Sequence, residues 1–314
     1  MTQADWTRFV KGIAFVFLAL PMCGCSSYVT RIVSYSLQRM TEPIQPPAHR
    51  VLSPILPNTN LAVLWVGHAA MLIQIHDKVF MTDPSFTKTI GLIVRRAVEP
   101  GLDPSSLSSV DYTLISHLHF DHFSYGSLDL LPKNGKLLIP SGGAAYTPEL
   151  GFAETRELKP WEVLEENGVR ITAVPVQHFG GRYGFDIQWN AGRGYTGWVV
   201  EYKGKTVFVA GDTGYHPEYF KEIGRRFSVD VAIVPIAPVG TRESGSRVHV
   251  SPKEAVQILE DVNAKIMIPM HHRTFFQGVE TAPTFAQDLL KRILEEKKIH
   301  ARVKILDIGE QWIE

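Results

Sequence analysis

Cysteine is nearly absent from this chain: only Cys23 and Cys25 occur in 314 residues, and both stand ahead of the bulk of the sequence. Beyond residue 25 a disulfide framework is excluded, and with it a thiol nucleophile and any thiolate metal ligand. Imidazole and carboxylate are left as the strong ligating groups. Net charge is missing as well. Lys plus Arg and Asp plus Glu stand at 32 each, so no global field draws the chain to nucleic acid, which is not an expected partner. Long hydrophobic runs are lacking too. The apolar stretch at residues 13–20 is well short of the ~20 residues that a membrane-spanning helix needs. What remains is an ordinary globular balance, 45% hydrophobic and 20% charged, enough to bury a substantial core in one large domain or two fused halves.

The N-terminus differs from the rest. Arg8 and Lys11 precede the apolar stretch, and Gly24, Cys25, Ser26 and Ser27 follow it, which is the layout of a secretory signal. Gly24-Cys25 resembles the cleavage box of bacterial lipoproteins, in which the cysteine carries the lipid. Cys25 is the expected site of lipidation; Cys23 is the alternative, behind the bulkier Met22, and an ordinary cleaved signal is the other reading. The expected organisation is a signal segment at 1–25, a linker at 26–60 and one domain at 61–314. A short helix is expected near 28–40. Pro43, Pro46, Pro47, Pro54 and Pro57 then favour an extended spacer. A protein of this layout belongs in the bacterial cell envelope, lipid-anchored, with the outer membrane as the expected side and the domain outside the cytoplasm.

From Leu61 onward, short apolar runs alternate with turn residues. Strands are expected at 61–66, 71–75, 79–82, 111–116, 168–176, 198–202, 206–210, 229–235, 265–268 and 302–306. Ser251, Pro252 and Glu254 make a capping box with proline at the first helical position, opening a helix to about residue 262. A second amphipathic helix is expected at 284–297. Strand-rich halves with interspersed helices imply packed sheets covered on their outer faces.

The decisive segment, residues 116–122, reads Ser-His-Leu-His-Phe-Asp-His and follows an apolar strand directly. Positions two apart at a strand end point the same way, so His117 and His119 can face one metal ion. Asp121 and His122 lie on the turn beyond and can reach a second. Further ligands are sought where later strands open into loops. His178 ends Pro-Val-Gln-His, Asp212 stands in Ala-Gly-Asp-Thr-Gly, and His271 stands in Ile-Pro-Met-His-His.

These residues, in this order, resemble the metallo-β-lactamase superfamily, and within it the phospholipase D enzymes that hydrolyse N-acyl-phosphatidylethanolamines. The likeness runs from about Leu61 to the C-terminus. It includes Trp-Val-Gly-His-Ala at 65–69, Ile-Ser-His-Leu-His-Phe-Asp-His at 115–122, Gln-His at 177–178, Ala-Gly-Asp-Thr-Gly-Tyr at 210–215 and His-Val-Ser-Pro-Lys-Glu-Ala at 249–255. The resemblance implies an α/β fold, a four-layer αββα sandwich with its metals at one edge. It places His117, His119 and His178 on one ion, Asp121, His122 and His271 on the other, and Asp212 between them. The family has an aromatic residue after its last metal histidine, where this chain has His272; His271 is kept as the ligand and His272 is expected beside the site.

Two close cations can hold a hydroxide and neutralise charge on a phosphoryl or carbonyl oxygen. Asp121 can orient that hydroxide while binding metal. His249 is the expected proton donor for the leaving group, because the related phospholipases carry a histidine in the matching segment; a plain helix-entry residue is the alternative. His68 is either beside the site or a satisfied core histidine. Residues 90–94 are apolar and run into Arg95 and Arg96, which suits phospholipid headgroups, although a loop packed on the core reads the same way. The expected activity is phosphodiester hydrolysis of a phospholipid such as N-acyl-phosphatidylethanolamine, with two divalent metal ions, zinc being the default for His-rich sites. The alternatives are a lactonase or ester hydrolase on the same centre, and a metal-binding lipoprotein without turnover. Penicillin hydrolysis fits poorly, because most such two-ion enzymes use a Cys ligand.

Overall fold

The protein is described by a computed structural model covering residues 34, 37, 42–91, 94–183, 185–187, 193–239, 245–276 and 283–314. The signal segment with Cys25, and most of the expected helix after it, lie outside the described residues.

Three strands in succession, β1 (Leu61–Gly67), β2 (Ala70–Ile75) and β3 (Lys78–Thr82), form an antiparallel meander. His76 and Asp77 turn between the last two, as the sequence indicates, with His76 at φ 51°. A two-residue pair follows, β4 (Thr89–Ile90) with β5 (Val94–Arg95). Next come β6 (Tyr112–Leu114), helix α1 (Tyr125–Asp129), β7 (Lys136–Pro140) and β8 (Glu154–Leu158), the three strands adding in parallel. The second sheet takes β9 (Val163–Glu166), β10 (Val169–Val174), β11 (Gly197–Tyr202), β12 (Lys205–Val209), then helix α2 (Pro217–Arg226) and β13 (Val231–Pro235). Helix α3 (Pro252–Asp261), β14 (Ile266–Met270), helix α4 (Phe285–Lys297) and β15 (Gln311–Ile313) complete the chain. The first sheet has the order β15-β1-β2-β3-β6-β7-β8 and the second β14-β13-β12-β11-β10-β9.

Both sheets are apolar on two faces, so their strands read as near-continuous hydrophobic runs rather than alternations; β1 is buried at every position. One face of each meets the other across a core containing Trp65, Phe80, Ile171, Trp198 and Ile233. A fully buried side chain of this size contributes about 1.5–3 kcal/mol. The outer face of the second sheet is covered by α2, α3 and α4, through Phe220, Ile223, Leu259 and Leu290. Phe123, Leu128 and Leu131 cover the outer face of the first. The result is the expected αββα arrangement. Helix α3 carries both arms of its capping box, Ser251 Oγ with Glu254 N and the Glu254 carboxylate with Ser251 N.

Some expectations need correction. Residues 302–306 do not form a strand: His300–Arg302 is a 3-10 turn, and the segment touches the sheet only through the bridge of Met267 to Val303 and Lys304 N donating to Met267 O. Nor does the proline-rich stretch stand free of the domain. Gln45 and Val51 bridge to Val98 and Leu102, His49 N donates to Ile308 O, and Leu56 is held by the buried amide of Gln74. Edge and loop groups that need partners find them there. Strands β4, β5, β7, β8, β9 and β15 and helices α1 and α2 are not among the elements expected from the sequence.

Candidate metal centre

Six strand ends meet at one edge of the sandwich. His68 follows β1, Asp83 follows β3, His117 to His122 follow β6, His178 follows β10, Asp212 follows β12 and His271 follows β14. Hydrogen bonds join the sheets here: Thr196 N donates to Ser116 O, the Trp198 indole Nε1 to Ile115 O at 3.1 Å, and His271 N to His68 O. Gly211 permits the closest approach. Its φ is +62°, and a Cβ there would stand 2.4 Å from Ser116 Cβ. His68, Asp83, His271 and Arg273 also take positive φ without being glycine; such strain costs about 1 kcal/mol or more per residue and concentrates at functional sites.

The imidazoles present one nitrogen inward because the other is held. His122 Nδ1–H donates to Asp83 Oδ2 at 2.8 Å, His178 Nδ1–H to Val248 O at 3.0 Å and His271 Nδ1–H to Ala237 O at 2.9 Å. Ser116 Oγ gives its proton to Asp83 Oδ2 at 2.6 Å and so receives one from His117 Nδ1 at 2.9 Å. In each ring Nε2 is left to face the centre, the arrangement that metal-binding histidines share. His117 Nε2 is buried with no hydrogen-bond partner among the described residues.

Two donor groups result. His117, His119 and His178 form one, with His178 Nε2 3.3 Å from His119 Nδ1. Asp121, His122 and His271 form the other, with His68 beside them and Asp212 against both groups. In the second group His122 Nε2 lies 3.1 Å from His271 Nε2, 3.5 Å from Asp121 Oδ2 and 3.4 Å from Asp212 Oδ2, and His271 Nε2 lies 3.6 Å from Asp121 and 3.1 Å from Asp212 Oδ1. Four donors on a tetrahedral ion with bonds of ~2.0–2.1 Å stand roughly 3.3–3.4 Å apart, so the spacing fits a small divalent cation. The electrostatics agree. Burial alone would lower the pKa of His271, yet Asp212 and Asp121 hold it up at about 9. Burial would raise both carboxyls, yet the facing imidazoles keep Asp121 and Asp212 well below the usual carboxylate range. A pocket that retains positive charge against its own desolvation suits a metal ion.

The remaining sequence candidates fall as follows. His249 lines the cavity over the donors, with Nδ1 3.6 Å from Asp212 Oδ2; burial lowers its pKa to about 4, so the ring is neutral. His68 sets Nε2 3.0 Å from Asp121 Oδ2. His272 packs on Trp65 instead, with ring centroids 4.5 Å apart and the planes tilted by 30°, and it is not among the grouped donors of the described residues. Arg95 and Arg96 do not reach the cavity. Arg96 is 2% exposed and spends Nη1 on the carbonyls of Ser85 and Thr87, while Arg95 donates to Glu42 O. The β4–β5 pair turns them from the opening and presents Ile90 and Val94 to it instead.

Sequence reasoning missed two residues. Asp83, 1% exposed, takes protons from Ser116 N, Ser116 Oγ and His122. A carboxylate directly after an apolar strand is the signal that pointed to Asp212, and it applies equally to Asp83. Arg182 had no such signal. Its Nη1 donates to Leu118 O and Phe123 O, both at 2.8 Å, its guanidinium lies 4.4 Å from the ring centroids of Phe120 and Tyr125, and it lines the cavity.

Comparison with known proteins accords with this geometry. The Beta-lactamase superfamily domain family matches residues 78–272. A UPF0173 metal-dependent hydrolase of Methanopyrus kandleri is 30% identical over 80% of this chain and 99% of its own. The N-acyl-phosphatidylethanolamine-hydrolyzing phospholipase D 1 of Caenorhabditis elegans is 27% identical over 90% of this chain and 87% of its own. Among solved structures, an isothiocyanate hydrolase from Delia radicum gut bacteria superposes with a TM-score of 0.64 at 18% identity, over 81% of this chain and 99% of that one. The chain therefore belongs to the metallo-β-lactamase superfamily, as one of its metal-dependent hydrolases.

Proposed function

We propose that the protein is a binuclear phosphodiesterase acting on N-acyl-phosphatidylethanolamine or a similar phospholipid. The observation that carries this reading is the cavity over the donors, about 330 Å³ in volume. Its walls are apolar, from Ile90, Val94, Phe120, Phe179, Phe275 and Phe276, while its floor holds Asp121, Asp212, His119 and His271, and Arg182 stands at its side. An amphiphile with one anionic linkage matches that division. Phe185 at 89% and Tyr183 at 51% exposure, stacked on each other with Tyr183 against Phe120, extend the apolar rim outward, where aromatic side chains suit a lipid–water boundary. The likeness to the nematode phospholipase D supports the same substrate class.

Two bound cations, with zinc the ion that a nitrogen-rich donor set favours, would supply a hydroxide at neutral pH and neutralise charge on the phosphoryl group. The chain's own residues do the rest. Asp121, held at 3.0 Å by His68, orients the attacking water. Arg182 offers positive charge to the phosphate. His249, neutral at the cavity wall, takes the water's proton and returns it to the departing oxygen. That assignment refines the expectation of a standing acid, because a group with a pKa of about 4 must first be given the proton it donates. Water adds to phosphorus, the bond to the ethanolamine oxygen breaks, and phosphatidic acid and N-acylethanolamine leave. We further propose that Cys25 carries a lipid and tethers the domain to the cell-envelope membrane.

The test is incubation of the purified protein with N-acyl-phosphatidylethanolamine, a bis-aryl phosphodiester and an acyl-lactone panel, with and without chelator. Chelator-sensitive release of phosphatidic acid is the expected result. Opening of lactones alone would replace the substrate assignment with a carboxylic-ester hydrolase on the same donors.

A further inference from the structure

His68 groups with Asp121, His122 and His271 as a further imidazole within ligand distance, and both its backbone and its ring are held in place. It occupies the turn between β1 and β2, 1% exposed, at φ +55°. Three bonds fix its backbone: its N–H donates to Thr274 Oγ1 at 2.7 Å, and its carbonyl accepts from His271 N at 3.0 Å and Trp65 Nε1 at 2.9 Å. The ring is wedged between His271, 4.0 Å away by centroid, and the edge of Phe275 at 5.0 Å. Its Nε2 lies 3.0 Å from Asp121 Oδ2. Asp121 needs such a partner. Its side chain is 22% exposed, whereas those of His122, His271 and Asp212 are 0%, 1% and 3% exposed, and it sits on the loop that follows β6. Among the described residues, the other groups close to its carboxylate are His122 and His271, which belong to the same donor group.

We infer that His68 is a positioning residue for the second metal site: its Nε2–H holds the Asp121 carboxylate in register with His122 and His271, and so sets the affinity of that site and not of the other. The inference deepens the proposed function by dividing the two sites, and it rests on the same donor groups. A strained turn is maintained by three backbone bonds, and what that turn delivers is one N–H on one ligand oxygen. Partners of this kind typically govern 10–100-fold of metal affinity. The first group lies beyond its reach, since His117, His119 and His178 make no contact with His68 among the described residues.

The experiment uses the full chain with His68→Asn and His68→Gln. Asparagine tolerates positive φ and is too short to reach Asp121; glutamine restores an N–H at about the length of the imidazole. Metal content after dialysis against limiting chelator, and the ligand-field spectrum on stepwise cobalt(II) addition, are read for each protein. The expected result is two ions per wild-type chain and one tightly held ion in His68→Asn, its second binding step weakened 10–100-fold and its first unchanged, with His68→Gln recovering most of the loss. Equal weakening of both steps, or a lower unfolding temperature of the metal-free variants with no change in either step, would reduce His68 to a structural residue and overturn the inference. Wild-type protein binding no metal would instead defeat the donor groups themselves.

Discussion

Asp83 offers the sharpest test of the reasoning, because it touches no substrate and presents no atom to the cavity. It takes protons from Ser116 N at 2.7 Å, Ser116 Oγ at 2.6 Å and His122 Nδ1 at 2.8 Å, all out of water. Asp83→Ala leaves these three buried donors without a partner. Each orphaned group costs about 1–3 kcal/mol, so with some relief from entering water the loss is roughly 3–5 kcal/mol, or on the order of 10 °C in unfolding temperature for a domain of this size. Asp83→Asn separates stability from metal binding. The amide keeps an oxygen for Ser116 N but turns an NH₂ toward His122, whose Nδ1 must then accept, moving the ring proton to Nε2. His122 keeps its place and loses the lone pair that faces the metal. Thermal unfolding of metal-free protein should show a loss of only about 1–2 kcal/mol for Asp83→Asn, while metal titration should show second-site affinity down by at least 10–100-fold. Wild-type stoichiometry and affinity in Asp83→Asn would refute the tautomer argument on which the ligand geometry depends.

Three further outcomes are expected. His272→Phe should raise the unfolding temperature by a few degrees without changing metal content, since it removes buried polar nitrogens and keeps the ring contact with Trp65. With its pKa lowered by burial from 6.5 to about 3, His272 lends stability that is complete above pH 6.5 and lost as pH falls from there toward 3, so the variant should also flatten acid unfolding in that window. His249→Gln should lower kcat by 10²–10⁴-fold while metal content and unfolding temperature stay put; a kcat within threefold of wild type would remove it from catalysis. Chelation should lower the unfolding temperature and strip metal more completely at pH 6 than at pH 8, because protons held on His271 up to about pH 9 compete with the cation; stripping independent of pH would contradict that competition.

The parts legible in the sequence share a cause. The histidine segment is contiguous, so its spacing on a strand end already fixes which side chains face together, and the apolar runs of β1, β2, β12 and β13 announce themselves because both faces are buried. Strand β8, Glu-Thr-Arg-Glu-Leu, could not be read this way: it is the edge of its sheet and largely exposed. Helix α2 buries only Phe220 and Ile223 along ten residues, too thin a stripe to stand out. Residues 302–306 misled for the opposite reason, since Val303 and Ile305 alternate with Arg302 and Lys304 as in a strand, yet beyond β14 a single bridge forms among the described residues. Arg182 is defined by carbonyls 59 and 64 positions away, and no local pattern encodes such a contact. Arg96 was misjudged because charge in sequence suggests solvent, whereas here two carbonyls and the face of Phe275 enclose it.

The placement of the centre follows from the division of labour between the sheets. The first sheet supplies His68, Asp83 and residues 117–122, and the second supplies His178, Asp212 and His271, so neither sheet holds a complete donor group alone. The two halves are fastened where the donors meet, through His271 N to His68 O, His68 N to Thr274 Oγ1 and Thr196 N to Ser116 O. Bringing three carboxylates and six imidazoles to one edge costs desolvation that the inter-sheet core must offset, and a cation bound across the seam would return part of it. Metal binding is thus coupled to the docking of one sheet on the other. A substitution deep in that core, such as Trp198→Phe, which deletes the bond from Nε1 to Ile115 O, should weaken both metal steps together, whereas a change at His68 should act on one.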